Sequence, residues 1–157
     1  EWAVSRIDVN RLKKMMPAVG MNIACCLESS RSTAEVAAFP GKVTIVDNKL
    51  RHHETPTFGA SNHLANMLLA ARTHDKAKNS ILNINPRTSK DIIESMCEDL
   101  DLNLTFATKD EITPHQGIDV ILDEGAFGWE PALYILAHNP LELVDRMLKI
   151  ISRIKTY

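Results

Sequence analysis

The sequence has little of what marks disulfide-stabilised, membrane or nucleic-acid-binding proteins. Its 157 residues include three cysteines, Cys25, Cys26 and Cys97. An odd number with an adjacent pair is not a disulfide framework and favours a reducing compartment, the cytoplasm. No apolar run approaches the roughly 20 residues that a membrane-spanning helix needs. The net charge is only −2, which attracts no polyanion, so we expect no direct binding to nucleic acid or to a membrane.

The overall composition is that of one ordinary globular domain. Apolar residues make up 45% and charged residues 24% of the chain, which suits one hydrophobic core and not a disordered segment. We therefore expect a single domain over residues 1–157. The chain starts with Glu1-Trp2-Ala3-Val4 and has no initiator methionine. This start favours a domain that is the C-terminal part of a longer chain.

Hydrophobic periodicity predicts strands and helices that follow one another without strict alternation. The predicted helices cover residues 5–16, 62–74, 88–100, 130–138 and 141–154, and the predicted strands cover 20–27, 42–47, 49–54, 79–85, 102–107 and 118–123. Asp47 and Asn48 separate two of these strands and are typical of a tight hairpin turn. A hairpin within such an arrangement favours a mixed sheet in a layered α/β fold.

A glycine-containing loop that leads into the second helix is the first candidate site. It reads Thr57-Phe58-Gly59-Ala60-Ser61-Asn62-His63. Backbone N–H groups at the start of a helix can bind an anion, and His63 would lie in the first turn beside it. The alternative is an ordinary capped helix with a surface histidine, and the spacing alone favours this alternative.

A second candidate site follows the strand predicted over 118–123. Asp123 and Glu124 end this strand, and a glycine-containing loop leads on to Glu130 and Pro131. Ligands of open α/β sheets bind at the carboxyl ends of strands, where these carboxylates could hold Mg²⁺. They could equally be turn residues, with Glu130 at a helix N-terminus. Lys42, after the turn residues Pro40 and Gly41, is uninformative alone.

Taken together, several segments resemble the ThiN family of thiamine-phosphate synthases. The Phe58-Gly59-Ala60-Ser61-Asn62-His63 element is the most specific of them. The resemblance runs from about residue 20 to residue 144, and the other matching segments, in chain order, are 35–42, 80–84, 119–125 with 130–131, and 139–144. Domains of this family occur mainly in archaea, often fused behind a hydroxymethylpyrimidine kinase or a helix-turn-helix domain.

The resemblance implies a fold, a reaction and a set of residues. The fold is a three-layer α/β/α arrangement with a mixed sheet, like that of the class II aldolases (AraD-like). The reaction joins hydroxymethylpyrimidine diphosphate and a thiazole phosphate to give thiamine phosphate and pyrophosphate, with Mg²⁺ as cofactor. His63 and Lys42 are the implied catalytic residues. The implied phosphate- or ligand-binding residues are Gly59, Ala60, Ser61, Asn62, Asn83 and Glu130, and the candidate metal ligands are Asp123 and Glu124.

The sequence also departs from the family pattern in ways that bear on catalysis. Members tend to carry arginine at the positions of Lys42, Asn66 and Asn85 and lysine at that of Trp129. Members also usually carry an acidic, glycine-containing stretch before Asp119, where this sequence has only residues 109–117; the stretch is either deleted or missing from the given sequence. Three of the four changes lose a positive charge, whereas a departing pyrophosphate carries about three negative charges that charge-assisted contacts must bind.

These departures leave two hypotheses open. The first is a transferase that uses His63 and Lys42. The second is a sensor that holds thiamine phosphate in the same pocket and reports it to a transcriptional regulator, which needs affinity but no stabilisation of a leaving group. Either would be compatible with an upstream kinase or DNA-binding domain. We expect a homodimer only because small cytosolic proteins commonly self-associate.

Overall fold

The computed structural model describes residues 1–108, 111–112 and 116–154, so part of the segment 109–117 lies outside the described residues. Its centre is an eight-stranded sheet in the order β5-β2-β1-β6-β10-β9-β7-β8. The strands are β1 Ile23–Cys26, β2 Val36–Ala38, β5 Thr57–Phe58, β6 Ser80–Ile84, β7 Leu104–Thr108, β8 Glu111–Ile112, β9 Val120–Asp123 and β10 Ala132–Ala137. The β7–β9 pair is parallel and the other described pairs are antiparallel, so the predicted mixed sheet is confirmed.

Helices cover both faces of this sheet. The helices are α1 Trp2–Ser5, α2 Val9–Leu12, α3 Asn62–Arg72, α4 Lys90–Asp99 and α5 Pro140–Ile154. Residues of α1, α2, α4 and α5 pack with one face of the sheet, and residues of α3 pack with the other. The apolar side chains therefore form two cores on opposite sides of one sheet, which is the predicted three-layer α/β/α fold. In the described part of the chain, no helix has the length and apolar character to cross a bilayer.

The helix predicted over residues 130–138 is wrong, because this segment is the central strand β10. Its residues are all buried, and they alternate between the two cores, with Leu133 and Ile135 on one side and Tyr134 and Leu136 on the other. A strand that is covered on both faces shows no apolar–polar alternation. A short continuous apolar run is therefore typical of either a buried helix or a central strand.

The helix predicted over residues 5–16 is also interrupted. Asp8 accepts a hydrogen bond from the amide of Asn10 (3.0 Å) and begins a new helix, α2, which ends in a 3₁₀ turn at Lys13–Met15. Such a side-chain cap competes with continuation of the helix before it.

The predicted hairpin is confirmed. It consists of β3 Val43–Val46 and β4 Lys49–His52, which form a separate two-stranded sheet. Both turn residues have positive φ, 51° at Asp47 and 57° at Asn48. Asparagine and aspartate tolerate this conformation better than most residues.

Candidate functional site

A cavity of about 820 Å³ lies at the end of the sheet where β6 and β9 finish and β10 begins. The loop after α2, the turn before β3, the start of α3 and the loop between β9 and β10 contribute to its wall. The lining residues are Pro17, Ala18, Val19, Asn22, Lys42, Ser61, His63, Leu64, Asn83, Ala126, Gly128, Trp129, Glu130, Pro131, Ala132 and Tyr134. The volume is typical of small-molecule sites, and the mixture of apolar walls with a few polar groups is also typical of them.

The glycine-containing loop places His63 in this cavity. Helix α3 begins at Asn62, and the hydroxyl of Ser61 caps it by accepting a hydrogen bond from the amide of Leu64 (3.4 Å). The ring of His63 is half-buried, and its Nε2 lies 2.6 Å from the hydroxyl of Tyr134. Of the residues predicted in this loop, Ser61 and His63 line the cavity, whereas Gly59, Ala60 and Asn62 are not part of its lining.

A different segment of the chain brings Lys42 to the same cavity. The amide of Lys42 donates to the carbonyl of Phe39 (3.2 Å), which closes the predicted Pro-Gly turn immediately before β3. Gly41 and Lys42 both have positive φ, 69° and 67°. A lysine in this conformation is uncommon, because its Cβ crowds the backbone. The turn brings the two predicted catalytic residues, Lys42 and His63, into the lining of one cavity.

Glu130 supplies a carboxylate to the cavity. It does not lie at a helix N-terminus, because no helix follows it; its oxygens accept from the amide of Ala18 (3.0 and 3.2 Å) and from Nδ2 of Asn85 (2.9 Å). Burial raises the pKa of Glu130, but these hydrogen bonds and the nearby Arg87 outweigh it and hold the pKa below its ordinary value. The carboxylate is therefore ionised at neutral pH.

Asn83, the other predicted ligand-binding residue outside the loop, also lines the cavity. Its Oδ1 accepts from the amide of Asn22 (2.9 Å), and the side chain of Asn22 in turn bonds the backbone of Phe39 on the neighbouring segment. These contacts tie β6, β1 and the turn before Lys42 together. The described contacts of Asn83 are structural, and its role with a ligand stays a prediction.

The structure does not bring Asp123 and Glu124 together as metal ligands. The two oxygens of Asp123 accept from the amide of Gly125 (2.9 Å) and from Nε1 of Trp129 (3.1 Å), while exposed Glu124 lies 4.0 Å from Nζ of Lys90. Neither carboxylate lines the cavity. Among the described residues no group of three or more histidines, cysteines and carboxylates could hold a metal ion. A role for magnesium stays a prediction.

Sequence reasoning did not identify Tyr134 as part of the site. The predicted helix includes Tyr134, whereas in the structure Tyr134 lies on β10. Its side chain is only 2% exposed and packs in the core on the α3 side of the sheet, with its hydroxyl at the cavity. A tyrosine in an otherwise aliphatic run was the available signal, because a buried phenol usually needs a hydrogen-bond partner. Here that partner is His63.

The chain is similar to proteins of thiamine biosynthesis along most of its length. A family model described as thiamine-phosphate synthase ThiN matches residues 1–149. The thiamine-phosphate synthase ThiN of Methanothermobacter thermautotrophicus is 26% identical, over 90% of this chain and 84% of that protein. The bifunctional thiamine biosynthesis protein ThiDN of Methanocaldococcus jannaschii is 27% identical over 91% of this chain, which spans only 38% of that longer protein.

Solved structures agree with this fold. The C-terminal domain of a phosphomethylpyrimidine kinase has a TM-score of 0.71 at 24% identity, covering 94% of this chain and 98% of that one. An aldolase II superfamily protein from Pseudomonas syringae has a TM-score of 0.51 at 8% identity, covering 98% of this chain and 73% of that one. At these identities the likeness shows the fold alone, and it confirms the predicted class II aldolase-like architecture.

Proposed function

The chain belongs to the ThiN family of thiamine-phosphate synthases, and from that premise we propose that its cavity binds thiamine phosphate. One observation carries the proposal: the same cavity presents a lysine, Lys42, and an ionised carboxylate, Glu130, in a mainly apolar lining. Thiamine phosphate has matching chemistry, because it joins an anionic phosphate, a cationic thiazolium ring and an apolar aminopyrimidine. A ligand with both charges suits a site with both charges.

The phosphate end of the ligand is assigned to Lys42 and Ser61. Both residues line the cavity, and Ser61 lies at the beginning of α3, where helix dipoles and backbone N–H groups favour an anion. A charge-assisted hydrogen bond from Lys42 would supply most of the phosphate affinity. Lys42 is the only lysine or arginine among the cavity-lining residues of the described chain.

This single cation favours binding of the product over turnover of the substrates. Stabilising a pyrophosphate that departs with about three negative charges requires several charge-assisted contacts. Asn85, one of the positions at which family members tend to carry arginine, instead donates to Glu130 (2.9 Å). Asn66 lies on α3, outside the cavity lining. We therefore favour a domain that binds thiamine phosphate and reports its concentration.

A second candidate function is the synthase reaction itself, and the pair formed by His63 and Tyr134 favours it. In that reaction the thiazole nitrogen forms a bond to the pyrimidine methylene carbon, and the carbon–oxygen bond to pyrophosphate breaks, with its electron pair leaving on the pyrophosphate oxygen. A histidine hydrogen-bonded to a tyrosine in the cavity (2.6 Å) could donate to that oxygen as negative charge develops.

Binding is tested with Lys42→Ala and the matched control Lys49→Ala, which removes an exposed lysine of the hairpin. By titration calorimetry we expect thiamine phosphate to bind the wild type and Lys49→Ala equally. We expect it to bind Lys42→Ala roughly 10- to 100-fold more weakly, since a hydrogen bond to a charged group contributes about 1.5–3 kcal/mol. No binding of thiamine phosphate to the wild type would contradict the proposal.

An assay with hydroxymethylpyrimidine diphosphate, thiazole phosphate and Mg²⁺ tests the second candidate. Thiamine phosphate formed by the wild type and not by His63→Ala would establish the synthase reaction. Binding of thiamine phosphate without turnover would favour the sensor function. The output of a sensor would pass to an attached domain. Since the bifunctional relative is a longer protein, the reading frame upstream of this chain is informative: a helix-turn-helix domain would favour regulation and a kinase domain biosynthesis.

A further inference from the structure

Trp129 is held in the cavity wall by several independent contacts. Ala126 and Trp129 exchange two backbone hydrogen bonds (3.0 and 2.9 Å) across a tight turn whose tip is Phe127 and Gly128. The indole Nε1 donates to the buried carboxylate of Asp123 (3.1 Å). The backbone of the turn and the indole itself are therefore both fixed, so the position of the ring does not depend on a bound ligand.

Three aromatic rings meet at this side of the cavity. The ring of His63 lies edge-on to that of Trp129, with centroids 6.0 Å apart and planes at 72°, and it lies 5.5 Å from the ring of Tyr134. All three residues line the cavity, and so does the carboxylate of Glu130, the residue after Trp129. Trp129 is still 45% exposed, so its face remains accessible to a ligand.

We propose that Trp129, together with Glu130, makes this site selective for a cationic aromatic ring, which in the proposed ligand is the thiazolium. The inference rests on the proposed function and adds which residues make the site prefer a positively charged ligand. Aromatic faces attract cations through the ring quadrupole, and tryptophan does so best. The carboxylate of Glu130 in the same cavity lining favours the same charge. The site therefore distinguishes thiamine phosphate from its precursor thiazole phosphate, whose ring is neutral.

The test compares two ligands of the same shape and different charge. Thiamine phosphate and its analogue in which carbon replaces the positively charged ring nitrogen are titrated by calorimetry into the wild type. The same titrations are made with Trp129→Leu and Trp129→Phe. Trp2→Leu is the matched control, because Trp2 is an exposed tryptophan outside the cavity lining. In a Trp2→Phe background, quenching of the remaining tryptophan reports directly on a ligand at Trp129.

We expect the wild type and Trp2→Leu to bind the cationic ligand about tenfold more tightly than the neutral one. In Trp129→Leu this ratio should fall to about twofold or less, with an intermediate ratio in Trp129→Phe. The comparison in the wild type requires no variant to fold. Equal affinities in the wild type, or an unchanged ratio in Trp129→Leu, would overturn the inference while leaving the proposed function intact. Failure of the wild type to bind thiamine phosphate would overturn both.

Discussion

Charged side chains at the two ends of the sheet have different kinds of partner. At the end where β9 starts, Asp119 accepts from Nζ of Lys78 (2.6 Å) and from Nη1 of Arg146 (2.8 Å), and their side chains are only 5–16% exposed. At the cavity end, Glu130 accepts from a backbone amide and the carboxamide of Asn85 instead of a cation. Charges that compensate one another hold elements together. A carboxylate whose hydrogen bonds come from neutral donors, with Arg87 only nearby, keeps part of its charge available to a ligand.

The largest effect should come from breaking the buried cluster. Asp119→Asn leaves the buried Lys78 with only the more distant carboxylate of Asp75 (3.9 Å), and removing one partner of a buried pair costs about 3–5 kcal/mol. Urea unfolding should show this loss of stability, while the folded fraction still binds thiamine phosphate with wild-type affinity. Asp99→Asn is the matched control. It breaks an exposed contact with Nε of Arg153 (3.0 Å) and should cost less than about 1 kcal/mol. Equal losses in the two variants would contradict the comparison.

The next largest effect concerns the turn at the cavity end. Gly125 has φ +76°, and a Cβ there would lie 2.6 Å from the carbonyl oxygen of Trp129 and 2.8 Å from the nitrogen of Pro131. Gly125→Ala should therefore cost about 3 kcal/mol and displace Trp129, which its fluorescence spectrum would report. Gly128→Ala is the control, since Gly128 has φ +77° with nothing within 4 Å. It should cost only about 1 kcal/mol. Similar costs would show that the close contacts of Gly125 do not hold the turn.

Helix caps at the two ends should have smaller effects. Oδ1 of Asn139 accepts from the amides of Leu141 (3.1 Å) and Glu142 (3.0 Å) at the start of α5, whereas Ser61 makes one longer bond to Leu64 (3.4 Å). In thermal unfolding, Asn139→Ala should cost about 1 kcal/mol and Ser61→Ala about 0.5 kcal/mol. If the phosphate lies at Ser61, only Ser61→Ala should also weaken ligand binding. A larger loss of stability in Ser61→Ala than in Asn139→Ala would contradict the assignment of the stronger cap to Asn139.

The smallest effect should be a dependence on pH. Burial raises the pKa of Asp119, but its bonds from Lys78 and the amide of Asn103 and the charge of Arg146 outweigh this and hold the pKa below its ordinary value of 3.8. As the pH falls below this value the unfolded state takes up its proton first, so this stabilisation, present at neutral pH, is lost. The stability difference between wild type and Asp119→Asn should therefore shrink in acid urea titrations. A constant difference would exclude this role of Asp119.

Elements with a clear local signal were predicted correctly. Helix α3 with its Ser61 cap, the Asp47-Asn48 hairpin and helix α5 all follow from side chains that act on their own backbone or on one apolar face. Lys42 and His63 became candidates through the family resemblance, because the turn and the helix start did not distinguish them from ordinary surface residues; the structure places both in the cavity lining. The role of Asp123 could not be predicted in this way. Its position at the end of a strand suggested a metal ligand, whereas in the structure it accepts a hydrogen bond from the indole of Trp129.

The class of fold, the helix and hairpin boundaries set by caps and turn residues, and the loop with His63 can all be read from the sequence. Contacts between distant segments, in contrast, make residues 132–137 a central strand and bring Tyr134 and Trp129 to the cavity around His63. The two groups of features differ because their interactions have different ranges. Caps and turns act within a few residues of the chain, whereas a strand buried on both faces is stabilised by partners distant in sequence.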